Sequence, residues 1–181
     1  MLEDKLLILR FKRGNFDALR WIYNKYKDDL LKLAIILTGD ICHSEDIVQD
    51  VFVKLAQSYD RISIHRNLKN YLITCVINRI RTLRRDCQHL EETQCDQSAI
   101  GISQINSPDQ WAVLNEQMQQ LSDAMSKLPF EQREVLMLRF EAGLRFPQIA
   151  RIQNASINTV QGRYRYGMEK LRALLNSEVT Q

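Results

Sequence analysis

Asn158, Gln161 and Arg165 follow one another at spacings of three and four. On a helix they share one face. Asn, Gln and Arg are the side chains that pair bidentately with adenine and guanine edges in the DNA major groove. Thr159, Arg163 and Tyr166 lie beside that face. Thr159 and Arg163 suit phosphate oxygens, contacts that position a protein on DNA without reading its sequence. A second set lies in residues 61–85, where Arg61, Arg66, Lys69, Arg79, Arg81, Arg84 and Arg85 give seven basic side chains and no acid. Tyr71, Thr74, Asn78, Arg81 and Arg85 share one side of the helix expected there. Cations release counterions from phosphates, and a tyrosine ring stacks on an unpaired base, so this set suits a single strand. Core packing accounts for Tyr71 equally well. A third set, Asp46, Gln49, Asp50, Val53 and Gln57, forms the outer face of another expected helix. Acids and amides around an exposed valine suit a basic partner helix.

These sets need helices to hold them. Phe16, Leu19, Ile22, Tyr23, Tyr26, Leu30, Leu33, Ala34 and Leu37 recur at three and four, the mark of an amphipathic helix. Thr38-Gly39-Asp40 breaks it, and Glu45-Asp46 are expected to open the next, with Ile47, Val48, Val51, Phe52 and Leu55 inside. A loop is expected over 60–67 and a third helix over 68–85. Residues 86–108 lose all periodicity, and a linker is expected there. Helical spacing returns at Trp111, Leu114, Met118, Leu121, Met125 and Leu128, and after Pro129 at Val135, Leu136, Leu138 and Phe140. Trp21 and Trp111 are both expected in the core.

The end of the chain has the clearest layout. Pro147–Ile152 predicts a short helix, Gln153-Asn154-Ala155 a tight turn, and Ser156 the N-cap of a second helix burying Val160, Tyr164, Met168, Leu171 and Leu175. Asn tolerates the left-handed conformation that such a turn needs. This is a helix-turn-helix, whose second helix enters the major groove.

Composition limits the alternatives. The 181 residues suit one domain or two small ones, and the 6 Gly and 3 Pro lean towards helix rather than a turn-rich β protein. Net charge is +3, unevenly spread: residues 1–85 carry 16 basic and 10 acidic side chains, 86–126 none and 7, and 127–181 nine and five. Basic blocks on either side of an acidic middle suggest a polyanion partner. No apolar run reaches 18 residues, so no membrane insertion is expected. Met1–Lys5 shows early acids and no cleavable signal pattern. Cys42, Cys75, Cys87 and Cys95 have no CxxC spacing, which fits a reduced, cytoplasmic protein. Cys87, His89 and Cys95 are loose metal-ligand chemistry without a fourth ligand, so no metal or other cofactor is expected. No nucleophile–base or nucleotide-loop pattern is found, and an enzyme is not expected.

Leu128-Pro129, Gln132-Arg133-Glu134-Val135, Leu138-Arg139-Phe140, Leu144, Ile149-Ala150, Ser156 and Thr159-Val160 resemble region four of bacterial extracytoplasmic-function (ECF) sigma factors. Leu37-Thr38-Gly39-Asp40, Glu45 to Phe52, Asn70-Tyr71-Leu72 and Asn78-Arg79 resemble their region two. The resemblance covers about residues 10–88 and 110–176. It implies an all-α chain of two small helical domains: region two over 1–88, an acidic flexible linker over 89–109, and region four over 110–181. It implies a non-enzymatic factor that binds core RNA polymerase, through the β′ clamp and β flap, and directs initiation at −10 and −35 elements. Asp46, Gln49, Asp50 and Val53 would meet polymerase. Arg61, Asn67, Tyr71, Asn78, Arg81 and Arg85 would meet the −10 element, with loop 61–67 framing a pocket for a flipped base. Ser156, Asn158, Thr159, Gln161, Arg163 and Arg165 would meet the −35 element. An anti-sigma factor is a further partner common in that family. The chain departs from the family pattern at Gln148, where Glu is frequent, at Asn154, where Gly is frequent, and at Gly162, inside the recognition helix.

Two other functions fit parts of the sequence. One is a stand-alone helix-turn-helix regulator with an N-terminal helical sensor. The other is an adaptor whose basic faces bind acidic proteins. Neither explains the 61–85 set and the Asp46–Val53 face together.

Overall fold

The computed structural model describes residues 2–59, 67–93 and 116–178. Their regular structure is all α-helix: α1 (Leu2–Lys12), α2 (Phe16–Thr38), α3 (Ile41–Gln57), α4 (Leu68–Thr93), α5 (Glu116–Ser126), α6 (Phe130–Phe140), α7 (Phe146–Gln153) and α8 (Ile157–Glu178). α1 to α4 form one helical domain and α5 to α8 a second. α2 touches α5 and α6, and α4 touches α6.

α1 is the element that hydrophobic spacing does not single out. Its apolar residues fall on both sides, with Phe11 buried and Leu7 and Ile8 packed against the core, while Leu6 and Leu9 are exposed. It lies along α2, where Lys25 meets Glu3 and Asp4 at 3.0 and 2.8 Å and the Tyr26 hydroxyl donates to Asp4. Asn15 starts α2 by accepting from the backbone N–H of Asp17 and Ala18. Ile22, Leu30, Leu33 and Leu37 then form its fully buried line. Trp21, expected in the core, is 69% exposed. One helical step of about 100° separates it from Ile22, and that step carries it off the buried stripe.

The turn from α2 to α3 is tightly specified. Gly39 adopts φ 75°, and its N–H donates to Ile35 O at 2.8 Å. Asp40 is extended, and its carboxylate accepts the backbone N–H of His43 at 2.9 Å. α3 therefore opens at Ile41, ahead of the start expected at Glu45-Asp46, because Asp40 caps it. Ser44, fully buried, donates to Asp40 O and shares a bond with the Thr38 hydroxyl, locking the corner.

Asn67 caps α4, accepting from the Lys69 N–H at 2.9 Å. Leu68, Leu72, Val76 and Ile80 bury its inner line against α2 and α3. α4 continues to Thr93, past the point where a linker is expected; the rest of that segment lies outside the described residues, as does Trp111. In the second domain, Leu128, Val135, Leu136, Leu138, Ile149 and Val160 form the core. α8 crosses close over α6 at Gly167, where an added Cβ would come within 3.3 Å of Gln132 Cβ and 3.4 Å of Leu136 Cδ1.

The Asp40 cap has a pH signature. The His43 N–H holds its carboxyl below the ordinary carboxylate range. A carboxylate with a lowered folded pKa stabilises the fold above its unfolded pKa, and this is lost as pH falls through the folded value. Asp40→Ala is expected to cost about 1 kcal/mol at neutral pH. The deficit should shrink towards zero as pH drops below roughly 4. Urea unfolding of both proteins across that range checks it.

Candidate functional site

The helix-turn-helix is built by short local bonds. The Arg145 N–H donates to Gln148 Oε1 at 3.0 Å, so the amide at position 148 closes the start of α7 as a glutamate would. Asn154 takes the left-handed conformation, φ 48° and ψ 48°, and supplies the turn where glycine is frequent in the family. Ser156 Oγ accepts the Thr159 N–H at 3.1 Å, and the two hydroxyls lie 2.8 Å apart. Ser156 therefore caps α8, and the Thr159 hydroxyl is engaged in the same cap.

With α8 fixed by the burial of Val160, the side chains of Asn158, Gln161 and Arg165 are exposed on its outer side. Arg165 stacks on Tyr166, 4.9 Å from the ring centre, and donates to its hydroxyl. Gly162 lies at the middle of this face. A Cβ there would meet nothing within 4 Å, so packing inside the protein does not require glycine at 162 as it does at 167.

Arg163 behaves differently from a free phosphate donor. Its Nη1 donates to Gln153 Oε1 at 2.8 Å. Gln153 Nε2 in turn donates to Glu134 Oε2 at 2.6 Å and to Glu131 O at 3.1 Å. Glu134 is 1% exposed. Burial raises its pKa, opposed by Arg81 and by the Gln153 bond. The chain Arg163–Gln153–Glu134 ties α8, the end of α7 and α6 together. Glu134 and Gln153 are the residues that helical periodicity does not reveal. Their signal is a carboxylate directly before the apolar run Val135–Leu138 and an amide directly before Asn154.

The α4 set is split by the structure. Asn78 and Arg85 are exposed. Arg81 turns to the second domain, donating to Ile152 O and lying 3.4 Å from Glu134 Oε1. Arg84 stacks 4.3 Å above the Phe130 ring. Tyr71 is half-buried against the core, and burial together with Cys75 pushes its hydroxyl up to about 12. Asn67 is occupied as the α4 cap. Arg61 lies outside the described residues, as do the side chains of Cys87, His89 and Cys95. Among the described residues no cluster of His, Cys, Asp and Glu could hold a metal ion.

On α3, Asp46, Gln49 and Val53 are exposed, Val53 by 53%. Asp50 is held instead by Arg79 of α4, with bonds of 2.6 and 3.0 Å to one carboxylate oxygen.

Residues 22–89 match the family model of sigma-70 region 2, and residues 118–171 that of sigma-70 region 4. Together the two matches span well over half of the chain, in the order of the two helical domains. The chain belongs to the ECF sigma factors of the sigma-70 family. It is 28% identical to the ECF RNA polymerase sigma factor SigW of Bacillus subtilis over 94% of this chain and 96% of SigW. It is 29% identical to the ECF RNA polymerase sigma factor SigL of Mycobacterium tuberculosis over 87% of this chain and 88% of SigL. Among solved structures, the sigma factor RpoE of Bartonella quintana, in complex with the anti-sigma factor NepR, matches with TM-score 0.59 and 25% identity, over 87% of this chain and 96% of that one. CnrH, in complex with the cytosolic domain of CnrY, shares the fold with TM-score 0.64 and 22% identity, over 97% of this chain and 98% of that one.

This sigma factor is thus a non-enzymatic initiation factor that binds core RNA polymerase and gives it promoter specificity. The rival reading of the N-terminal block as a sensor is not favoured, because that block is itself sigma region 2. No helix among the described residues is long and apolar enough to cross a membrane.

The bonding of Arg163 and Arg165 predicts different effects on stability. Arg163→Ala removes the partner of a buried amide and is expected to cost about 1–3 kcal/mol. Arg165→Ala, on the exposed side, should stay within about 0.5 kcal/mol of the parent. Thermal or urea unfolding of the DNA-free protein measures both.

Proposed function

We propose that the sigma factor divides its work among three faces. Asp46, Gln49 and Val53 of α3 dock on a helix of the polymerase β′ clamp, with Asp50 holding α4 in register through Arg79. The side of α4 that carries Tyr71, Asn78, Arg81 and Arg85, with the 61–67 segment including Arg61 and Asn67, takes the unpaired −10 strand. The outer face of α8 reads the −35 duplex: Asn158, Gln161 and Arg165 meet base edges, while Ser156 and Thr159 bring the helix N-terminus against phosphate. Gly162, at the centre of that face, lets the backbone come close to the bases. Arg163 acts mainly by holding the recognition helix in place. Functional units of 1–88 and 110–181, with 89–109 between them, fit this division. The region-four unit would also meet the β flap.

The observation that carries this reading is the outward Asn158–Gln161–Arg165 face, held by a capped helix and a turn with a left-handed residue at its apex. A cytoplasmic site of action follows from the role in transcription. The match to RpoE, solved with an anti-sigma factor, supports an inhibitory protein of that kind as a further partner.

Arg165→Ala should lose about 1–3 kcal/mol on the preferred −35 duplex and relax the preference at one base pair. Val53→Glu should weaken capture of core polymerase while leaving the −35 affinity unchanged. Duplex titrations and a core-polymerase pull-down test the two faces separately. Unchanged base preference in the first variant rejects the α8 assignment. Unchanged core binding in the second rejects the α3 assignment.

A further inference from the structure

Tyr166 puts an aromatic ring into solvent on α8, 56% exposed, one position after Arg165. Tyr164, two positions earlier, packs instead against Phe140 and Phe146, with ring centres 6.1 and 5.4 Å away. Two helical steps of about 100° each separate the two tyrosines, so one belongs to the inner side and the other to the outer. Inside the protein, Tyr166 meets Arg165. The guanidinium lies 4.9 Å from the ring centre, and Nη2 donates to the hydroxyl at 3.2 Å. This holds a long, exposed side chain in one place. It engages one donor and leaves the other guanidinium N–H groups for a base edge.

Gly162 stands one turn before both, three positions from Arg165 and four from Tyr166. Long side chains on a helix lean towards its N-terminus, which directs these two over position 162. A Cβ there would meet nothing within 4 Å. The missing side chain therefore leaves a shallow notch, floored by backbone, between a cation and an aromatic ring. The polar groups of a base pair in the major groove suit Asn158, Gln161 and Arg165, whereas the apolar group it presents there is the C5-methyl of thymine. A single exposed apolar side chain is ordinary on a protein surface. Tyr166 differs in standing beside three side chains that face the bases, with its hydroxyl already bonded to one of them.

We propose that Tyr166 determines specificity in the −35 reader: its ring takes the methyl group of a thymine next to the base that Arg165 reads, and its hydroxyl holds the Arg165 guanidinium in place for that base. The inference rests on the α8 assignment above and adds an apolar contact to the polar ones.

The test uses core polymerase reconstituted with the full chain. A promoter is first selected from a library randomised over the −35 element. Each of its −35 thymines, on either strand, is then replaced by deoxyuridine, which removes the methyl group alone. The parent is expected to lose about threefold to fourfold in promoter affinity at one position, as one buried methyl group requires. Tyr166→Ala, at an exposed position, should unfold as the parent does and show no such loss there. Tyr166→Phe keeps the ring and should keep the loss, while relaxing the preference at the neighbouring base pair. Equal losses in the parent and Tyr166→Ala overturn the methyl contact, as does a parent with no loss at any −35 thymine. Unchanged preference at the neighbouring pair in Tyr166→Phe overturns the hold on Arg165. If Arg165→Ala still alters a −35 preference in these cases, the α8 assignment stands. If neither Arg165→Ala nor Tyr166→Ala alters any, that assignment falls and the inference with it.

Discussion

A carboxylate buried in the second domain governs most of what this molecule can do. Glu134 is held at 2.6 Å by the Gln153 amide, which is held in turn by Arg163. These bonds connect three helices that also pack through Val160 and the close crossing at Gly167. A buried charge is costly unless it is paired and hydrogen-bonded. That cost makes the arrangement specific, because rotation of α8 about its axis would take Arg163 away from the buried Gln153 amide that holds the carboxylate. The direction in which Asn158, Gln161 and Arg165 point is therefore supported from inside the domain, by the Arg163–Gln153–Glu134 bonds.

The first domain follows a different principle. Its core is aliphatic with Phe11, Tyr26 and Phe52 packed in it, and its corners are set by caps: Asn15, Asp40 and Asn67 each satisfy orphan N–H groups at a helix start. Such caps fix where each helix begins, and hence which residues share its outer side. Asp50 and Arg79 then bind α3 to α4 at the surface, joining the face proposed for polymerase to the helix proposed for the −10 strand. Where the domains meet, arginines of α4 find acceptors on α6 and α7. The factor's binding surfaces are thus coupled through the same few charged groups.

Much of this was legible in the sequence. The stripes of α2 and α3 follow the helical period, apart from Phe16, which is exposed; on α8 Val160 is buried and Tyr164, Met168 and Leu171 pack half-buried on the core, with Leu174 there in place of Leu175; and the turn at Asn154 with the cap at Ser156 could be placed from residue type alone. The failures have physical causes. α1 is apolar on two sides, so spacing gives no stripe to find. Trp21 looks like core by type, yet one helical step takes it to solvent. The start of α3 was expected at acidic residues that favour a helix dipole, but the side-chain cap at Asp40 sets it earlier. In the candidate site, the outward residues of α8 were identifiable from their spacing. The inward turn of Arg163 and the capture of Arg81 by Glu134 were not, because both depend on contacts between segments far apart in the chain.

The most direct test of the three-face account is run-off transcription by core polymerase reconstituted with the full chain or a single variant. The templates should differ at single positions of either the −10 or the −35 element. The account predicts that Arg165→Ala changes which −35 variants are used and leaves the ranking of −10 variants intact. Asn78→Ala should do the reverse. If both variants alter the ranking at the same element, or if neither alters any ranking while transcription persists, the assignment of α4 and α8 to separate promoter elements is wrong.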